Sequence, residues 1–139
     1  MMKLNKKIEY ALMSLKALQD HSEESSPRLS AKDIADRIHA PFDVIARVLQ
    51  VLAQKEFLDV ERGVQGGYRI GKSLNNMTLK DLVEVIDGPI MAVKCQDQHS
   101  HCEIQKSCTI LSPMLRLNSR MNDFYQNIKL DELLGEKHV

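Results

Sequence analysis

The stretch FLDVERGVQGGYRIG, residues 57–71, decides the fold of this 139-residue chain. Leu58 to Glu61 and Tyr68 to Ile70 predict two short strands. Three glycines stand between or beside them and supply the positive backbone φ angles that a tight or bulged hairpin requires: Gly63, Gly66 and Gly67. We therefore predict a β-hairpin.

Three helices are predicted before this hairpin. Apolar residues at helical spacing between Ile8 and Leu18 predict a first helix over about residues 4–20. Ser30 predicts the start of a short second helix, because its hydroxyl can accept a free N–H near Asp33. That helix ends near residues 39–40, and a third helix follows and stops near residue 55. Its buried stripe is Val44, Ile45, Val48, Leu49 and Leu52.

This order predicts a mainly α fold with a small β-hairpin wing, which is the layout of a winged helix-turn-helix. In that layout the third helix fits the major groove of DNA, and the hairpin reaches the backbone or the minor groove. Three helices and a hairpin also occur in small domains that bind no nucleic acid, so the pattern alone leaves both interpretations open.

The second half of the chain predicts a further helix and a long last helix. Thr78 caps a helix that Gly88 and Pro89 end. Ser112 and Pro113 are interpreted as the cap and first turn of the last helix. That helix carries a heptad seam suited to pairing with a second copy of the chain: Met114, Leu117, Met121, Phe124 and Ile128. We predict a DNA-binding domain over residues 1–88, a cysteine-bearing loop over 89–112, and a dimerisation helix with a tail over 113–139.

All three cysteines lie in KCQDQHSHCEIQKSCT, residues 94–109, at Cys95, Cys102 and Cys108. Thiolates at this density are soft metal ligands. Zinc with His99 or His101 as a fourth ligand is one explanation, although the C-x2-C spacing of zinc ribbons is missing. A thiol switch without metal is another.

Composition excludes several classes of protein. The sequence contains no run of about 18 apolar residues, so no transmembrane helix is expected. The N-terminus resembles no signal peptide, so we expect a cytoplasmic protein without a disulfide framework. The sequence has no nucleophile–base pair and no phosphate loop, so neither an enzyme nor a small-molecule substrate is predicted. The net charge is zero, which permits DNA binding without establishing it.

VERGVQGGYRI resembles the wing of the Rrf2 family of bacterial transcription regulators, in the branch of the iron–sulfur sensors IscR and NsrR. The wing pattern R-G-x-x-G-G-Y of that family is matched by Arg62, Gly63, Gly66, Gly67 and Tyr68. IEYALMSL and LSAKDIADRI resemble its first and second helices, and the cysteine trio precedes a long helix as in that family. The resemblance covers about residues 3–129.

The resemblance implies a homodimeric regulator, expected to be a repressor, that binds double-stranded operator DNA. Arg62 matches the wing arginine that enters the minor groove, with Gln65 at the wing tip. Residues on the third helix fall where the family reads bases, namely Asp43, Ala46 and Arg47, with Gln50 on the same face. A solvated helix face is the plain alternative for Arg47 and Gln50. Val44, Ile45 and Ala46 replace a Tyr-Leu-Glu run of the family, which leaves the operator sequence open.

The resemblance also implies an iron–sulfur cluster, 2Fe-2S or 4Fe-4S, on the three cysteines, which would sense nitric oxide, redox state or iron–sulfur status. Some family members use a histidine three residues after the last cysteine, but Leu111 stands there. Others use an acidic residue of the partner's first helix, which aligns with Glu9. His99 and His101 are the rival ligands, and a lysine salt bridge is the plain alternative for Glu9. An electron-transfer protein is disfavoured because it would not need a winged helix.

Overall fold

The structure is a computed structural model that describes residues 3–22, 28–71, 74–93, 103–104 and 107–135. Helices and strands follow one another in the order that the sequence predicts, with two short additions. The helices are α1 (Lys6–His21), α2 (Ala31–Ile38), α3 (Phe42–Gln54), α4 (Leu79–Asp87), α5 (Leu111–Gln126) and α6 (Leu130–Leu134). The strands are β1 (Leu58–Glu61) and β2 (Gly67–Ile70), and a 3-10 turn covers Leu74–Asn76.

Helices α1 to α4 bury their apolar stripes in one core, to which α6 adds Leu130. The side chains of Leu15, Ile34 and Leu49 are fully buried there. Burial of such side chains supplies the main driving force for folding. The predicted stripes of the first and third helices therefore point where the sequence places them.

The predicted caps are confirmed. Asp33 donates its backbone N–H to Ser30 Oγ at 3.1 Å, and Ser30 donates its own N–H to Asp33 Oδ2 at 3.2 Å. Thr78 and Asp81 repeat this capping box at the start of α4. Each box satisfies N–H groups that a helix start leaves free, so both helices begin where their caps lie.

The turn between α2 and α3 depends on a left-handed residue. His39 has φ 56° and ψ 44°, and its N–H and that of Ala40 close the end of α2. Pro41 then occupies the N-cap position of α3. This tight reversal sets α3 across α2, as a helix-turn-helix requires.

The hairpin pairs antiparallel, with Leu58 opposite Ile70 and Glu61 opposite Gly67. Leu29 adds a two-bond bridge to Tyr68, so the chain before α2 lies beside the hairpin. Gly63 and Gly67 have positive φ as predicted. The prediction for Gly66 is wrong, because Gly66 needs no positive φ; instead, a Cβ there would collide with the carbonyl oxygen of Glu61.

Two predictions for the last helix are also wrong. The helix begins at Leu111 with Ile110 at the N-cap, so Ser112 lies inside the first turn and does not cap it. Pro113 fits there because a first turn needs no N–H from that residue. Ile128 lies beyond the helix, because its carbonyl accepts the N–H of Leu79 at 2.8 Å. Two residues after Ile128, Leu130 donates its N–H to Met77 O at 2.9 Å, which returns the chain to the core.

Over the described ranges, no helix is both long enough and apolar enough to span a bilayer.

Candidate nucleic-acid interface and cysteine segment

The predicted DNA-reading residues of α3 share one exposed face. Asp43, Arg47 and Gln50 are separated by four and three residues, which places them along one side of a helix. All three are exposed, whereas Ile45 and Leu49 on the opposite side are fully buried. The core therefore fixes which side of α3 faces outward.

Two further residues border this face, and the sequence interpretation did not single them out. Phe42 is the first residue of α3 and is 52% exposed, although it is a large aromatic residue. Lys7 of α1 lines the same open groove, of about 380 Å³, as Arg47 and Gln50. The sequence does hold a signal for Phe42, because this aromatic residue lies outside the apolar stripe that predicts the buried side of α3. Lys7 carried no signal, because only tertiary packing brings α1 beside α3.

The wing presents Arg62 and Gln65 at its tip. The turn is closed by the N–H of Gly66, which donates to Gly63 O at 3.0 Å. Both side chains are exposed. Tyr68 on β2 is half-buried, and its burial raises the pKa of its phenol. Its place against Leu29 indicates a structural role.

The two carboxylates of the wing are paired with arginines, whereas one wing arginine, Arg62, is not paired with any described residue. Arg28 Nε lies 3.1 Å from Glu61 Oε2, and Arg69 Nε lies 3.4 Å from Asp59 Oδ2. Within the described part of the chain, neither Arg47 nor Arg62 has an ion-pair partner. These two guanidinium groups lie on the two elements that a winged helix applies to DNA.

Glu9 is exposed on α1 and forms a local ion pair, with Oε2 3.1 Å from Lys6 Nζ. The hydrogen bond with Glu9 raises the pKa of Lys6 above its ordinary value. Lys6 Nζ also lies 5.3 Å from the centre of the Tyr10 ring. The salt bridge expected as the plain alternative is therefore present within one subunit, and it is an exposed pair of small energetic weight.

Of the predicted metal ligands in the loop, Cys108 alone lies in the described ranges, as a half-buried free thiol three residues before α5. Cys95, Cys102, His99 and His101 lie outside the described residues. Among the residues that are described, no group of three His, Cys, Asp or Glu side chains could hold a metal ion.

The predicted seam of α5 lies on an open face in the single subunit. Leu117 is 44% exposed and Phe124 is 65% exposed, while Met114 and Met121 are half-buried. Ile110, one turn before Met114, extends the same face and is also exposed. An apolar face of this kind is characteristic of a helix that pairs with another surface.

A family model described as Rrf2, iron-dependent transcriptional regulator, matches residues 4–136, nearly the whole chain. The chain belongs to the Rrf2 family. As an Rrf2 protein it is a transcription regulator and not an enzyme, which confirms both predictions. Similar curated proteins include the HTH-type transcriptional regulator IscR of Pectobacterium atrosepticum, 29% identical, and IscR of Vibrio campbellii, 28% identical. Both alignments cover 99% of this chain, and they cover 82% and 80% of those proteins.

Solved structures share the fold of this Rrf2 chain. T. potens IscR matches with a TM-score of 0.68 and 21% identity, over 96% of this chain and 86% of that one. CymR, the global cysteine regulator of B. subtilis, matches with a TM-score of 0.69 and 20% identity, over 96% and 97%. The predicted fold class, a winged helix-turn-helix with a long C-terminal helix, is confirmed.

Proposed function

We propose that this Rrf2 protein is a homodimeric repressor that binds double-stranded operator DNA through α3 and the wing. The observation that carries the proposal is the pair of exposed arginines without ion-pair partners, Arg47 on α3 and Arg62 on the wing. Arg47 would donate to a guanine edge in the major groove, with Asp43 and Gln50 beside it. Arg62 would enter an adjacent minor groove, with Gln65 next to it.

The exposed face of α5 supports a homodimer. Leu117 and Phe124 would be covered by the same residues of a second copy, which gives the self-complementary contact of a two-fold dimer. Two copies of α3 would then meet two half-sites about one turn of DNA apart. Affinity for the operator would depend on how α5 positions the two subunits relative to each other, because both copies of α3 must bind their half-sites at the same time.

We further propose that Cys95, Cys102 and Cys108 hold an iron–sulfur cluster that controls operator binding. The donor chemistry fits, because three thiolates within fourteen residues are ligands that such clusters take, and Cys108 is a free, half-buried thiol. The cluster when bound would supply sensitivity to nitric oxide, redox state or iron–sulfur supply. A regulator of this kind works in the cytoplasm.

Three thiolates leave one coordination position, for which Glu9 of the partner subunit is our first proposal. The Lys6–Glu9 pair is exposed and weak, so release of the carboxylate would cost little. A ligand from α1 would connect the cluster to the DNA-binding domain of the other subunit. His99 and His101 are the alternatives. An effect on operator affinity of about 1–3 kcal/mol would suffice for regulation.

One experiment tests DNA recognition. A duplex selected from random sequence by the wild-type protein is titrated with Arg47→Ala, Arg62→Ala and, as a control on exposed α5, Arg120→Ala. We expect the first two variants to bind about 5- to 150-fold more weakly, the range for loss of a base contact. Arg120→Ala should bind like wild type. Equal affinity for all four proteins would reject the proposed interface.

A second experiment tests the cluster. Protein purified without oxygen is analysed for iron, acid-labile sulfide and visible absorption. Iron with stoichiometric sulfide supports the proposal, and Glu9→Ala against His99→Ala and His101→Ala then assigns the fourth ligand. Zinc without sulfide, or metal-free protein, would favour the alternatives of a zinc-stabilised regulator or a thiol switch.

A further inference from the structure

Arg28 is joined to the wing from outside the hairpin. Its Nε lies 3.1 Å from Glu61 Oε2, and its Nη1 donates to Gly67 O at 3.4 Å. The Arg28 side chain is only 13% exposed, whereas that of Glu61 is 66% exposed. The guanidinium is therefore largely withdrawn from solvent and from any ligand, while the carboxylate stays at the wing surface.

The backbone fixes this arrangement. Leu29, next to Arg28, donates its N–H to Tyr68 O at 3.0 Å and accepts the N–H of Tyr68 at 2.7 Å. Gly67 comes so near that an added Cβ would lie 2.6 Å from the Leu29 carbonyl. Since two backbone bonds set the position of residue 28 beside β2, the Arg28 side chain need not order a loop by itself to reach Glu61.

The pairing changes the charge that the wing presents. Residues 57–71 carry two carboxylates, Asp59 and Glu61, and two arginines, Arg62 and Arg69, which leaves the hairpin neutral. Arg69 pairs with Asp59 within the hairpin. Glu61 directly precedes Arg62, and without Arg28 its exposed carboxylate would oppose the approach of DNA phosphates. Arg28 together with this neutral hairpin carries a net charge of plus one.

We propose that Arg28 is a positioning and charge-compensating residue for DNA binding. It neutralises Glu61, so that the adjacent Arg62 supplies the net positive charge that the wing presents to DNA. Arg28 itself does not touch DNA, because it is almost enclosed. This inference rests on the proposed contact of Arg62 with DNA.

A double-mutant cycle separates charge compensation from simple anchoring. The probe is the duplex that the wild-type chain selects from random sequence, and the proteins are Arg28→Met, Glu61→Gln and the double variant. If Arg28 compensates charge, Arg28→Met should weaken binding about five- to tenfold. Glu61→Gln should bind as tightly as wild type or more tightly, and the double variant should return to within about threefold of wild type.

If Arg28 served only to anchor the wing through its bond to Glu61, the opposite pattern would be expected. Glu61→Gln and the double variant would then both bind as weakly as Arg28→Met, and that result would overturn the proposal. Arg69→Met is the matched control, since its partner Asp59 shares a pair that is half exposed on both sides. Thermal unfolding of each variant shows whether any change follows loss of folded protein. If wild type and Arg62→Ala bind the selected duplex equally, the proposed DNA contact itself has failed, whatever Arg28 does.

Discussion

Asn118 of α5 holds the backbone of Ala92: its Oδ1 accepts the Ala92 N–H at 3.0 Å. One turn later, Asn122 Nδ2 donates to Ile90 O at 3.1 Å. The chain that leaves α4 toward Cys95 is thus fastened to the same helix that follows Cys108. Asparagine is a mediocre helix former, so two of them inside α5 are explained by these bonds better than by helix stability.

These two bonds have opposite polarity, which gives a matched prediction. Asn118→Asp keeps the acceptor for Ala92, so amide exchange of Ala92 should stay within about twofold of wild type. Asn122 Nδ2 donates to Asn118 O as well as to Ile90 O, and Asn122→Asp replaces this donor with an acceptor. Exchange over residues 90–93 should rise about three- to tenfold, as expected for loss of the one hydrogen bond that Asn122 makes to this segment. Hydrogen exchange by mass spectrometry measures both. Equal exchange in the two variants would contradict these contacts.

Gly67 should tolerate substitution less well than Gly63. Both have positive φ, +139° and +115°, so alanine is strained at either site. At Gly63 nothing lies within 4 Å of the added Cβ, whereas at Gly67 it would meet the Leu29 backbone at 2.6 Å. We expect Gly63→Ala to cost about 1 kcal/mol of unfolding free energy and Gly67→Ala to cost more than about 2. Urea denaturation of both variants decides, and equal losses would mean that the approach of Leu29 does not matter.

Leu130 of α6 should matter far more than Leu133 in the same helix. Leu130 is fully buried in the core that α1 to α4 form, and Leu133 is 47% exposed. Leu130→Ala should lower the free energy of unfolding by about 2–5 kcal/mol, because it leaves a cavity. Leu133→Ala should change it by less than about 0.5 kcal/mol. Chemical denaturation tests this, and a small effect at Leu130 would place α6 outside the core.

The capping box of α2 predicts a pH dependence. Hydrogen bonds from the Ser30 side chain and then its backbone lower the pKa of Asp33 below its ordinary value of 3.8. A carboxyl whose pKa is lowered by folding stabilises the protein above its unfolded pKa, and this contribution is lost as the pH falls through the folded pKa. Ser30→Ala should cost about 1 kcal/mol at pH 7, and the difference from wild type should shrink below pH 3.8. Denaturation at pH 7 and pH 3 measures it, with Ser119→Ala as an exposed control. A difference that does not change with pH would show that the Asp33 charge is not involved.

Local signals predicted most of the DNA-binding fold. Ser30 and Thr78 act through neighbours three residues away, so their caps can be identified in sequence. The hairpin likewise follows from its glycines. The ends of α5 did not follow, because Ser112 offered a local cap that the chain does not use. Ile128 also fits the heptad, yet its carbonyl is used by Leu79, a partner about fifty residues away in sequence.

The residues of the candidate site likewise differ in how far the sequence predicts them. Periodicity gave only the buried stripe of α3, whereas the resemblance to the Rrf2 family singled out Asp43 and Arg47 on that helix and Arg62 and Gln65 on the wing. Their roles in binding DNA stay proposals, as do the roles of the cysteines and Glu9. The ion pair of Glu9 with Lys6 matches the plain alternative for Glu9, a salt bridge with a lysine, since residues three apart on a helix are neighbours.

The sequence by itself determined the order of helices, the caps, the hairpin and the exposed face of α3, because each depends on contacts within a few residues or on one apolar period. Only the tertiary structure decided that Arg28 pairs with Glu61, that two asparagines of α5 hold residues 90–92, and that Leu130 completes the core. The hydrogen bonds and the ion pair that make these contacts join residues 26 to 53 positions apart, and no local pattern encodes which distant partners meet. Packing of the common core brings them together.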